Sequence, residues 1–479
     1  MTISKTLPSR PEYAGVLPAD FLHGYASAAY QVEGATSKGG RGPSNWDEML
    51  KDYPDNGDDA CRSYDLWKDD VQLLKQFGAK SYRFSVSWPR IKPLGTKDSP
   101  VNEEGVAYYN NLIDGLLAVG VEPTITLHHY DTPLALDERD RGFAAVDATE
   151  LIEDFVAYAK VCFERFGDRV KRWLTINEPW IFCSLGAEGI VKDYTRADFF
   201  RVGHNTLLVH GHTAHLYRKE FQKVQGGQIG IALNYDWAEP VNNSPEAIEA
   251  AMISEERSLG WFAMPIFKGI PTKSWDHYGD AFPRLTADEL SLLKGSADFF
   301  SINHYGTMYT TGKQLAPNTA TDFRELDDIQ KTVYRDGVLI GRRGENGHPH
   351  TVPWGFGKLL VHCWEVYAKD LNIPVIVYEN GYAVEHEASA PLNEIVDDKY
   401  RQEFYDQYIQ AMCDAVKNHG VWVSGYHCWS LLDNLEWNNG YTPRFGVTYI
   451  DRENGFKRVP KDSSKTVAAI WKHVVRKQM

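Results

Sequence analysis

Two apolar runs, each ending abruptly on an acid, constrain this chain more than any other feature. Residues 173–180 read W-L-T-I-N-E-P-W, and residues 373–381 read I-P-V-I-V-Y-E-N-G. Trp173, Leu174 and Ile176 suit a buried strand, and Pro179, which lacks an N–H, stops it just beyond Glu178. The second run ends on Glu379, after which Asn380 and Gly381 turn the chain. An acid at the C-terminal tip of a buried strand sits where a parallel barrel keeps its chemistry. Taken alone, Asn177-Glu178 reads equally well as a cap on the next helix. A second acid-tipped strand shifts the balance towards a site.

Between and around these runs the chain alternates strand-like and helix-like segments. Strands are expected within 21–30, 81–88, 123–129, 173–177, 228–235, 297–305, 373–379 and 421–429. Helices are expected over 68–77, 105–119, 148–166, 204–219, 400–417 and 463–476. Eight such units, without a sequence repeat, predict an α/β fold: a single (β/α)8 TIM barrel with elaborated βα loops, spanning 1–479 as one domain. Length alone would allow about three domains, but one elaborated barrel can take up the chain. The first twenty residues read as a polar strap on the barrel's outside. Residues 309–352 lack periodicity, so a lid or binding wall is expected there.

Composition excludes several classes. The net charge of −14 argues against nucleic acid or an anionic membrane as partner. No apolar stretch is long enough for a transmembrane helix, and the N-terminus has no secretory h-region. Cys61, Cys162, Cys183, Cys363, Cys413 and Cys428 show no metal-like spacing and read as reduced residues of a cytoplasmic protein. No metal and no cofactor is called for, and the sequence leaves a homo-oligomer open. Aromatic content is high, with 14 Trp. Most must pack the core, though some are suited to stacking on sugar rings.

Two glutamates at two strand ends are what glycoside cleavage requires: one group to protonate the leaving oxygen and one to meet the cationic carbon. T-I-N-E-P at 175–179 and Y-E-N-G at 378–381 resemble the acid/base and nucleophile motifs of family 1 glycoside hydrolases. The resemblance runs from about Phe21 to about Ser464. It implies a retaining β-glucosidase acting on small β-glucosides, with Glu379 as nucleophile and Glu178 as acid/base. It places Arg83 beside the nucleophile, with Asn303 and Tyr305 in support and Asn177 reaching the sugar 2-OH. Gln31, His129, Glu436 and Trp437 are the implied hydroxyl readers, Trp429 the stacking floor and Phe445 a wall. Glu436 beside Trp437 also disfavours 6-phosphoglycosides, whose phosphate an acid would repel. A β-galactosidase, β-fucosidase or transglycosidase would share these residues. A catalytically weak sugar-binding relative would be expected to lose a glutamate, and both are present.

The chain departs from the family pattern at three places. L-H-H-Y-D-T-P at 127–133 stands where His-Trp-Asp-Leu-Pro is usual, so Tyr130 and Thr132 replace an indole and an aliphatic. The glycine-rich loop after the acid/base is not recognisable in 181–194. Counting seven back from Gly355 gives His348 where the aglycone side often has Trp. Trp180 and His348 are thus expected to form an altered leaving-group side, with weaker stacking from imidazole.

Overall fold

The computed structural model describes residues 6–186, 189–273, 275–313 and 329–477. Eight parallel strands close into a barrel: β1 (Leu22–Ala26), β2 (Ser81–Ser85), β3 (Glu122–His128), β4 (Arg172–Asn177), β5 (Gln228–Asn234), β6 (Phe300–Asn303), β7 (Val375–Asn380) and β8 (Val423–Cys428). Each strand hydrogen-bonds its sequence neighbours, and β8 closes on β1 through Leu22 opposite Gly425. Leu174, Ala232, Phe299, Ile376 and Tyr378 form one buried apolar cluster. A second forms around Ala26, Ala28, Ala383, Trp429 and Phe445.

The outer helices start and stop where local chemistry allows. Ser63–Gln76 ends at Phe77, followed by Gly78 at φ 69°, a left-handed position that glycine takes without strain. Thr149–Phe166 lies within one residue of its expected bounds, and Asp462–Val474 and Lys399–His419 within two. Arg196–Leu216 starts eight residues before the expected 204, because Thr195 and Asp198 form a capping box there. The N-terminal strap lies against the last two helices. Tyr13 Oη donates to Asp414 at 2.7 Å, and Leu17 bridges Val475.

Of the lid or binding wall expected over 309–352, the described residues form a wall, made of strands rather than irregular loop. Thr307–Lys313 pairs parallel with Trp237–Pro240 and antiparallel with Ile329–Thr332, giving a three-stranded sheet beside the β5 and β6 tips. Two small antiparallel ladders follow, Tyr334–Arg335 with Val338–Leu339 and Arg342–Arg343 with His350–Thr351. The segment is therefore a built wall in its described parts, while 314–328 lie outside the described residues. Among the described residues, no helix is long and apolar enough to cross a membrane.

Candidate active site

The barrel register brings the two acids to one end. Asn303 at the tip of β6 lies opposite Glu379 on β7, and Asn177 at the tip of β4 lies opposite Ala232 on β5. Glu178 follows at φ 41°, and its N–H donates to the Ala232 carbonyl at 2.7 Å. A left-handed backbone is uncommon for a residue with a Cβ and points to a conformation held by its surroundings. The turn after β7 runs so close to Trp429 that a Cβ on Gly381 would come within 1.8 Å of its carbonyl oxygen. Only glycine fits there.

The two carboxylates sit in different environments. Glu379 is buried and paired with the Arg83 guanidinium, and Tyr305 Oη donates to its Oε2 at 2.7 Å. Burial is the largest influence on it and raises its pKa, against the downward pull of Arg83 and Tyr305. Among the described residues, no cation pairs with Glu178. Asn303 Nδ2 donates to its Oε1 and Tyr130 Oη to its Oε2, both at 2.8 Å. Burial and then the Glu379 charge push its carboxyl up to about 8.

Arg83 is buried and fully engaged. Its Nε donates to Thr126 Oγ1 at 2.8 Å and its Nη2 to Asn177 Oδ1 at 2.6 Å. Asn303 Nδ2 also donates to Asn177 Oδ1, at 3.1 Å. These two donors fix the Asn177 amide, so its Nδ2 faces His129 Nε2 and Tyr130 Oη, each at 3.1 Å. His129 Nε2 must then accept, which puts the imidazole proton on Nδ1.

The remaining residues implied by the resemblance flank Glu379. Gln31 Nε2 donates to the Leu435 carbonyl at 2.7 Å and to Glu436 Oε2 at 3.3 Å. The half-buried Glu436 is pushed up to about 8 by withdrawal from solvent and then by the Glu379 charge. His129 lies parallel to Trp429 and Trp437, with centroids 6.0 and 5.9 Å away. Phe445 meets Tyr305 edge-on at 5.8 Å.

On the other side of Glu178 opens a cavity of about 890 Å³, lined in part by Trp180, Asn234, Asp236, Tyr305 and His348. His348 is not free to stack as an isolated imidazole. Its Nε2 lies 2.7 Å from Asp236 Oδ2, while the Gly306 N–H donates to Asp236 Oδ1 at 2.8 Å. Burial is the largest influence and favours a neutral Asp236, but His348, His304 and the Gly306 N–H together hold the carboxyl below the usual range. Sequence reasoning missed Asp236, the wall strand Ile329–Thr332 and the bond from Tyr130 to Glu178. None has a local signal, because each depends on a partner far along the chain.

A parallel eight-stranded barrel with paired acids at its strand tips has the form of a (β/α)8 glycoside hydrolase. The model for glycosyl hydrolase family 1 matches residues 13–476. Beta-glucosidase 1B of Phanerodontia chrysosporium is 44% identical over 94% of this chain and 84% of its own length. Beta-glucosidase 25 of Oryza sativa is 41% identical over 93% of this chain and 92% of its own. A family 1 β-glucosidase from the fungus Humicola insolens, solved in complex with glucose, superposes with a TM-score of 0.92 at 38% identity, covering 96% of this chain and 99% of that one. The chain belongs to glycosyl hydrolase family 1.

Proposed function

We propose that this protein is a retaining β-glucosidase that releases terminal β-D-glucosyl units from small β-glucosides by double displacement. The observation that carries the reading is the contrast between the two acids: Glu379 held by a guanidinium and a phenol, Glu178 held only by neutral donors. In the first step a Glu379 oxygen attacks the anomeric carbon as the bond to the aglycone breaks. The Glu178 proton goes to the leaving oxygen. In the second step water attacks that carbon, Glu178 takes the water proton, and the bond to Glu379 breaks to restore its carboxylate.

The surroundings support this division of labour. A carboxyl raised to about 8 carries its proton at neutral pH, as an acid must. Once Glu379 is esterified, its charge no longer opposes ionisation of Glu178. Asn177 Nδ2 would reach the sugar 2-OH by exchanging the bond that it makes to His129 Nε2. Gln31 Oε1 and His129 Nδ1 have no protein partner among the described residues, which suits them to sugar hydroxyls. Glu436 and Trp437 would complete the hydroxyl readers, over Trp429 as floor and beside Phe445. Trp180 and the Asp236–His348 pair would face the aglycone. The glucosidase assignment draws on the names of the relatives. Residues 1–479 are read as one catalytic unit. The six cysteines are buried free thiols, with Cys61 for example pushed up to about 12 by burial, and this supports a cytoplasmic location.

Retention is tested by proton NMR of the first product formed from an aryl β-glucoside. The β anomer of glucose should appear first and the α anomer only later by mutarotation. Initial α-glucose would mean inversion and sink the double displacement.

Discrimination against 6-phosphoglucosides should depend on pH. Glu436 gains its charge as the pH rises through about 8, so repulsion of phosphate strengthens in that direction. The ratio of kcat/KM for plain over phosphorylated substrate should be modest at neutral pH, where Glu436 is mostly protonated, and rise about tenfold by pH 9. Using the ratio cancels the titration of Glu178, which affects both substrates. A ratio near one at all pH values would remove Glu436 from the sugar pocket.

A further inference from the structure

We propose that Tyr130 is a positioning residue for Glu178, whose phenol hydroxyl aims the carboxylate and stabilises the ionised form that the second step needs. The inference rests on reading Glu178 as the acid/base.

Three hydrogen bonds run head to tail through this residue. Arg83 Nη2 donates to Asn177 Oδ1 at 2.6 Å, Asn177 Nδ2 donates to Tyr130 Oη at 3.1 Å, and Tyr130 Oη donates to Glu178 Oε2 at 2.8 Å. Every donor points away from the guanidinium and towards the acid, so each bond polarises the next in the same sense. The middle position needs a group that accepts and donates at once. A phenol hydroxyl does both, whereas the indole usual at this place in the family pattern can only donate. The substitution at Tyr130 therefore supplies a link that the usual residue cannot.

The phenol is also held in direction. Tyr130 is 2% exposed, its ring stacks on Phe182 with centroids 5.9 Å apart, and the tilted Trp437 ring lies 5.2 Å from it, centroid to centroid. Its backbone takes φ 73°, and its carbonyl accepts from Asn45 Nδ2 at 3.1 Å. A side chain at such a φ persists only where the surroundings over-determine it.

The charged and titratable groups around Glu178 frame the consequence. Glu379 on β7 raises its pKa and Arg83 on β2 lowers it. His129 is kept neutral by burial, Tyr305 and Tyr130 are phenols raised well above their ordinary range and stay protonated, and Glu436 lies beyond Glu379. Tyr130 and Asn303 are the two donors that favour the ionised carboxylate. When the glycosyl bond neutralises Glu379, these donors remain, and Glu178 can serve as base.

The test is Tyr130→Phe in the full-length protein. Profiles of kcat/KM against pH are measured on a glucoside with a poor leaving group, and pre-steady-state bursts on a dinitrophenyl glucoside. Burst amplitude counts functional sites, so any misfolded fraction is corrected for. Activity in the free enzyme requires protonated Glu178 and falls as pH rises through its pKa. Loss of a donor to the charged form should move this alkaline limb up by about one pH unit. Deglycosylation near neutral pH should slow about tenfold, while the acidic limb of kcat/KM, set by Glu379, stays in place. An alkaline limb that stays in place or moves down, or a rate loss uniform across both steps, would overturn the proposal. Glu178→Ala with azide, run in parallel, separates the two readings. If that variant shows no dependence on the leaving group, Glu178 is not the acid/base and both fall. If it does, an unmoved limb in Tyr130→Phe removes this inference alone.

Discussion

Glu379→Ala is expected to lower turnover by about five orders of magnitude on every glucoside, whatever its leaving group. In the proposed mechanism the first bond to the anomeric carbon is made by this carboxylate. Arg83 is committed to Thr126, Asn177 and Glu379, and Tyr305 donates to Glu379. The variant also strips a buried guanidinium of its counter-ion. Leaving such a charge uncompensated costs about 3 kcal/mol or more, although the bonds to Asn177 and Thr126 remain. Glu379→Gln separates the two effects, because it keeps the size and an acceptor for Arg83 and Tyr305 while losing nucleophilicity. Both variants should be equally inactive, and the glutamine variant should melt closer to wild type. Residual hydrolysis above about one per cent in Glu379→Gln, with glutamine verified by mass, would exclude Glu379 as the nucleophile.

What the sequence revealed follows from which interactions are local. The eight strands were legible because each is a short apolar run closed by turn residues, and burial on both faces leaves little alternative for such a run. β6 is shorter than expected, Phe300–Asn303 rather than 297–305, since only its central residues pair on both sides. The wall strand Ile329–Thr332 was invisible for the opposite reason. I-Q-K-T has no alternation, and its backbone is satisfied only by a partner in Thr307–Lys313. The start of Arg196–Leu216 carried a signal that went unused, the T-x-x-D capping box at Thr195.

The candidate site divides in the same way. Glu178, Glu379, Asn177 and Asn303 stand at strand tips, so strand ends and motif spacing located them without tertiary information. Arg83 was conspicuous as a cation inside a buried strand. Tyr130 registered only as a departure from a pattern, since its partner lies 48 residues away. His348 registered as a weaker stacking platform, yet it is an ion-pair partner of Asp236, 112 residues distant. A substitution to Trp there would remove that partner and leave Asp236 with only its backbone donors. Gains in stacking area on the aglycone side would therefore be offset by an unpaired carboxylate, an effect that sequence spacing could not disclose.

Glu178→Ala should divide substrates by leaving group rather than silence the enzyme uniformly. A phenolate as acidic as dinitrophenol departs without a proton, so its glycosylation step should hardly change. An alkyl or sugar aglycone must be protonated as it leaves, and here kcat/KM should fall on the order of 10³-fold. With the good leaving group the intermediate still forms, but water has lost its base, so the glycosyl enzyme accumulates and kcat falls while KM falls with it. Azide needs no base to attack. Where the Glu178 carboxylate stood, the variant leaves space and two unmatched donors, Asn303 Nδ2 and Tyr130 Oη, which can receive an anion. Added azide should therefore restore turnover of the dinitrophenyl substrate and yield β-glucosyl azide, with the configuration retained. Equal losses on both leaving-group types and no rescue by azide would together assign the proton donor to another residue.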